Sequence, residues 1–152
     1  MPYIVLFIAL IALDQWTKFW AVAQLRGQSP IHLIENQLSL IYVENRGAAF
    51  GMLQDRRWFF IILTVFVAAF LIRFIIRHYR VHSPLATLAL VLILAGAVGN
   101  LIDRVRNGYV VDFIALKFGG LMNFPVFNVA DIAVVTGAVL MIYLLIYTKE
   151  FA

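Results

Sequence analysis

The chain of 152 residues contains no cysteine. This excludes disulfides, thiolate nucleophiles, cysteine-ligated metals and lipid attached at cysteine, and it leaves the redox compartment unspecified. Charge is scarce too: Asp, Glu, Lys and Arg make up 13% of the residues, against about 25% in soluble domains. A phosphate loop of the P-loop or dinucleotide type is missing. So is any basic stretch ahead of the first apolar run, which is interrupted by Asp14 and Lys18. That run reads as an uncleaved span rather than a secretory signal. The excess of 12 Lys and Arg over 8 Asp and Glu flanks apolar segments, so it points to membrane topology and not to nucleic acid.

What the chain has in abundance is apolar residues, 64% of the total. Its length allows one domain, residues 1–152. Four stretches are long enough to cross hydrocarbon as helices, at about 3–23, 58–76, 85–101 and 129–147, since an isolated strand would leave its backbone unpaired in lipid. Outer loops then cover 24–57 and 102–128. The end of span two and the short connection to span three hold Arg73, Arg77 and Arg80, and Lys149 follows span four. By the positive-inside rule both termini are cytoplasmic. Arg26, Arg46, Arg56 and Arg57 in the first loop run against that rule, although long loops translocate regardless of charge. On this topology Asp14, Glu35, Glu44, Asp55, Asp103, Asp112 and Asp131 all fall toward the outer face, and only Glu150 lies inside.

The expected fold class is an all-α membrane protein with four transmembrane helices and a small extracytoplasmic hairpin in the first outer loop. There IHLI and LSLIYV flank the turn-like ENQ. NRGAAFGML follows, where Gly47, Ala48, Ala49 and Gly51 either allow close backbone approach or make a plain turn.

Asp131, one turn into span four, is the most telling residue, because an ionisable group at membrane depth marks function by default. GYVVDFIAL places Asp112 on the same side. Two neighbouring carboxylates in a partly dry site tend to share one proton, which suits acid and base work. A plainer reading makes Asn128 the N-cap of span four and Asp131 its N3 residue. Spacing does not separate the two readings. The capping geometry would favour Asp131 as the ionised partner, with Asp112 holding the shared proton.

Asp14 and Lys18 share a helix face, either as a structural pair with Lys18 snorkelling outward or as participants in a site. Gly96 and Gly99 permit close helix contact. Asn100 and Arg104 face the same way at the outer mouth, where Arg104 can orient a carboxylate or a carbonyl, while Asp103 reads as an interfacial salt-bridge residue. His78 and His82 have a metal-like spacing but sit among arginines, so a solvated basic loop is expected and no metal. Beside a carboxylate pair doing acid and base work, a proton-coupled carrier using Asp14 and Lys18 and a non-catalytic scaffold stay open. The polar residues collect at one face with nothing to continue a path inward, which weighs against a carrier.

In order along the chain, LDQWTK, NRGAAFG, GNLIDR, YVVDF and FPVFNVAD resemble the bacterial lipoprotein signal peptidases, or signal peptidase II. The resemblance implies a membrane aspartyl endopeptidase that removes the signal peptide of a prolipoprotein just before its diacylglyceryl-modified cysteine. It implies Asp112 and Asp131 as the catalytic pair, and Asn45, Asn100, Arg104 and Asn128 as residues lining the substrate and inhibitor site. Asp14, Lys18, Gly47 and Phe50 take supporting roles. It further implies a small β-cradle in loop one, inhibition by globomycin-type cyclic peptides, contact with membrane lipid, and no cofactor. The expected location is the bacterial inner membrane, with the active site near its outer face. A monomer is expected, since one chain supplies every motif.

Overall fold

Long apolar runs have one way to hide their backbone polar groups from hydrocarbon, and four of them fold as helices long and apolar enough to cross a membrane. The structure, a computed structural model, describes residues 1–47, 52–78, 83–118 and 122–148. Phe50, Arg80, His82, Lys149 and Glu150 lie outside the described residues. In chain order the elements are α1 (Pro2–Leu25), β1 (Ile31–Ile34), β2 (Leu38–Asn45), α2 (Arg57–His78), α3 (Pro84–Arg106), β3 (Val110–Phe118), β4 (Met122–Asn123) and α4 (Val129–Tyr147).

The boundaries of α3 and the start of α4 have local causes. Pro84 opens α3 behind an N-cap Ser83 whose side chain accepts from the Ala86 amide, and Asn128 caps α4. At the other end of α3, Gly108 adopts φ 88° and turns the chain into β3, a conformation that costs glycine little. The helix runs past the expected end of its span to Arg106 because Asp103 and Arg104, too polar for lipid, turn inward onto partners described below.

Lipid is as apolar as leucine, so burial alone does not drive these helices together; close packing and interhelical hydrogen bonds must. Glycines mediate the contact of α3 with α4. A side chain at Gly96 would strike the Ala130 carbonyl, and one at Gly137 would lie 2.6 Å from the Ala89 carbonyl. On the other flank Ala68 and Leu71 of α2 pack against Leu90 and Leu94 of α3. The outward faces carry Ile62, Phe66, Val135, Val139 and Ile142 exposed, as lipid contact requires. Trp58 and Tyr147, also exposed, begin α2 and end α4, where amphipathic rings favour the interface.

The strands form an antiparallel sheet in the order β1-β2-β3-β4. The expected hairpin is present as β1 and β2, and the sheet extends beyond it, because the stretch read as second outer loop supplies β3. Val43, Glu44 and Asn45 pair with Asp112, Val111 and Val110. Val111 and Phe113 pack against Ala21 and Leu25 of α1. The alternate residues Val110 and Asp112 line a cavity on the opposite face.

Candidate active site

The cavity measures about 510 Å³ and opens between β3, the α3 C-terminus and the α4 N-terminus. Asn45, Gly47, Asn100, Arg104, Asp112 and Asp131 all line it. Residues spread over most of the chain therefore meet at one point. Among the described residues, no three His, Asp or Glu side chains are grouped to hold a metal ion.

Asp112 is 2% exposed. The β2–β3 register sets Asn45 diagonally beside it on the same sheet face, and the Asn45 amide donates to Asp112 Oδ2 at 2.9 Å. Its other oxygen accepts from Asn128 Nδ2 at 2.6 Å. Burial drives the Asp112 carboxyl up to about 7, and the charge of Asp131 adds to the rise against the Asn45 and Asn128 donors and the Lys18 charge. A carboxyl so placed holds or releases its proton near neutrality.

The capping reading of Asp131 holds, and the capped residue also lines the cavity. A capping box is formed: the Asn128 side chain accepts from the Asp131 amide at 3.0 Å, and Asp131 Oδ2 accepts from the Asn128 amide at 3.1 Å. Its Oδ1 takes a hydrogen bond at 2.8 Å from Nδ2 of Asn100, another residue that lines the cavity. The cap aims the carboxylate instead of merely consuming it.

Amide directions follow from their neighbours, since an ammonium can only donate. Lys18 Nζ lies 2.8 Å from Asn100 Oδ1, so the Asn100 NH₂ end must face Asp131. The Asn128 oxygen serves the Asp131 amide, so its NH₂ end must face Asp112. Asn45 Oδ1 accepts from the Gly47 amide at 3.0 Å, which turns its NH₂ end to Asp112 as well. Three asparagines thus present donors to two carboxylates. Asn128→Ser keeps an N-cap oxygen but removes the donor to Asp112. We expect the cap itself to change stability by less than about 1 kcal/mol, and Asp112 and the Val111 carbonyl, left without the Asn128 amide, to cost about 1–3 kcal/mol more. Thermal unfolding of the variant measures the sum.

Lys18 corrects one expectation. At 3% exposed it does not snorkel; it turns inward to Asp14 at 2.9 Å and Asp103 at 3.1 Å. Asp14 also accepts from the Ala130 amide at 2.9 Å, capping an otherwise orphan donor of α4. Gly99 makes room for it, since a side chain there would meet Asp14 Oδ2 at 2.6 Å. Asp103 corrects another expectation: it is 3% exposed rather than interfacial, and it accepts from the Val111 amide and from Gln15 Nε2. Gln15 and Asp103 were missed as parts of the site. The available signal was Lys18 itself, because a lysine at that depth needs more than one partner.

Arg104 donates to the Gly47 carbonyl at 3.1 Å and stacks over Phe60 at 4.8 Å. Among the described residues it forms no ion pair, so its charge is open to the cavity. His78 stacks on Phe74 at 4.5 Å, away from the site.

The chain matches the family model described as signal peptidase (SPase) II over residues 6–147. It is 45% identical over 151 residues to the lipoprotein signal peptidase of Clostridioides difficile strain 630, covering 99% of both chains. It is 48% identical over 145 residues to that of Caldanaerobacter subterraneus subsp. tengcongensis, covering 95% of each. A solved bacterial membrane enzyme superposes with a TM-score of 0.84 at 33% identity, covering 96% of this chain and 93% of the other.

Proposed function

Because this chain belongs to the signal peptidase II family of membrane aspartic peptidases, we propose that it removes signal peptides from prolipoproteins, cutting just before the diacylglyceryl-modified cysteine. Asp112 and Asp131 are the catalytic pair. The observation that carries this reading is the convergence of the two carboxylates on one cavity, each oriented by asparagine donors.

The chemistry needs no group beyond water. Asp131, ionised at the α4 N-terminus, takes a proton from water as the oxygen attacks the scissile carbonyl. Asp112, protonated, gives its proton to the carbonyl oxygen. On collapse Asp131 passes its proton to the departing amine of the lipidated cysteine, and Asp112 recovers one from the tetrahedral hydroxyl. Asn45, Asn100 and Asn128 hold the carboxylates to this geometry, and the open Arg104 charge binds substrate carbonyls. Asp14, Lys18, Gly47 and Phe50 support the site. Globomycin-type cyclic peptides compete for the same cavity.

The enzyme acts as a monomer in the bacterial inner membrane, with both termini cytoplasmic and the sheet end outward. The signal helix then lies among the spans, the diacylglyceryl chains stay in the leaflet lipid, and the dyad meets water. Purified protein in detergent is expected to cleave a diacylglyceryl-modified prolipoprotein and to leave the unmodified precursor intact. Failure on the modified substrate, with the protein folded, defeats the proposal.

The pH dependence follows from Asp112. Its carboxyl, raised to about 7, must be protonated to act as the acid. As pH rises through that value the proton is lost, so kcat/KM should fall about tenfold per unit above it. A pH–rate profile flat from 6 to 9 (roughly two units beyond the ionisation) would contradict Asp112 as the acid.

A further inference from the structure

We propose that Asp103 is a positioning residue for Asp112, and that the buried cluster Asp14–Lys18–Asp103 fixes the separation of the two catalytic carboxylates. The inference rests on the aspartic dyad proposed above. The Val111 amide, one residue before Asp112, donates to Asp103 Oδ2 at 3.0 Å. Val111 is 2% exposed, so without Asp103 this amide would be buried and orphaned. The bond pins the start of β3, and with it the backbone of Asp112, to the last turns of α3.

The same Asp103 oxygen lies 3.1 Å from Lys18 Nζ. That ammonium reaches Asn100 Oδ1, whose amide end holds Asp131, and Asp14, which caps the Ala130 amide one residue before Asp131. One cluster is therefore bonded to the neighbours of both carboxylates and touches neither. A shift at Asp103 acts on the Asp112 side through one direct bond and reaches the Asp131 side only by way of Lys18 and Asn100, so it moves the two groups relative to each other.

The cluster holds two carboxylates for one ammonium, so neutralising Asp103 leaves Asp14 and Lys18 balanced and the fold intact. Asp103→Ala and Asp103→Asn remove the same charge, but only the asparagine oxygen can still accept from the Val111 amide. We expect Asp103→Ala to lower kcat on the lipidated precursor about a hundredfold, as small misplacements of reacting groups do. KM should stay within about twofold, because binding contacts are untouched. Hydrogen exchange at the Val111 amide should accelerate in the same variant. Asp103→Asn should recover most of kcat and restore the protection.

Equal impairment in the two variants would overturn the proposal by showing that the charge matters and the bond does not. Wild-type kcat in Asp103→Ala would overturn it too. Should the alanine variant not fold, Asp103→Asn decides: near-wild-type kcat with a protected Val111 amide supports the proposal, and loss of either rejects it. If instead the wild-type dyad proves non-catalytic, Val111 exchange still reports whether Asp103 holds β3, so the two failures are distinguishable.

Discussion

Asp112→Asn and Asp131→Asn should each reduce cleavage of a lipidated prolipoprotein by about a thousandfold or more, the scale of general acid and base catalysis. Asparagine matches aspartate in shape but carries no proton to exchange. At Asp112 it resembles the protonated carboxyl in charge, so a loss there does not come from a change of net charge. Each replacement also sets an NH₂ group against an existing donor: Asn45 or Asn128 at position 112, and Asn100 or the Asn128 amide at position 131. That conflict costs about 1–3 kcal/mol, so melting temperatures belong beside the rates. Cleavage retained by either folded variant would return Asp131 to a capping role and place the catalytic groups elsewhere.

The second large effect lies outside the cavity. Lys18→Met should destabilise the fold by about 3–5 kcal/mol, the cost of leaving buried charges without their partner. All three ammonium hydrogens are in use, on Asp14, Asp103 and Asn100. Methionine fills the stem and supplies none of these bonds, so two carboxylates stay buried without a cation. The contrast is Arg26, whose side chain is 58% exposed beside Glu44; Arg26→Gln should change stability by less than about 1 kcal/mol. Thermal unfolding of the two variants in one detergent measures both. Equal melting temperatures would mean that the Lys18 cluster carries no buried charge.

The legible and illegible parts of this protein divide along the range of the interactions involved. Spans show in composition because a run of apolar residues needs nothing distant to become a helix in lipid. The Asn128–Asp131 cap also showed, since both partners lie within one turn. The β1–β2 hairpin is similarly local, joined by the turn at 35–37.

β3 did not show. Val110, Val111, Asp112 and Phe113 are all buried, so the strand lacks the alternation that marks a half-exposed one, and its partner β2 lies far earlier in the chain. Asp103 failed for the same reason: a carboxylate at a helix end is usually solvated, and only the approach of α1 and β3 buries it. By itself, then, the sequence determined four membrane spans, the Asn128 cap of α4, the close helix contact at Gly96, and Asp112 and Asp131 as candidate carboxylates. Only the tertiary structure decided that Lys18 faces inward, that Asp103 pins β3, and which end of each asparagine meets an aspartate. Those depend on groups supplied by other elements, and a buried hydrogen bond exists only once both partners have been brought out of water.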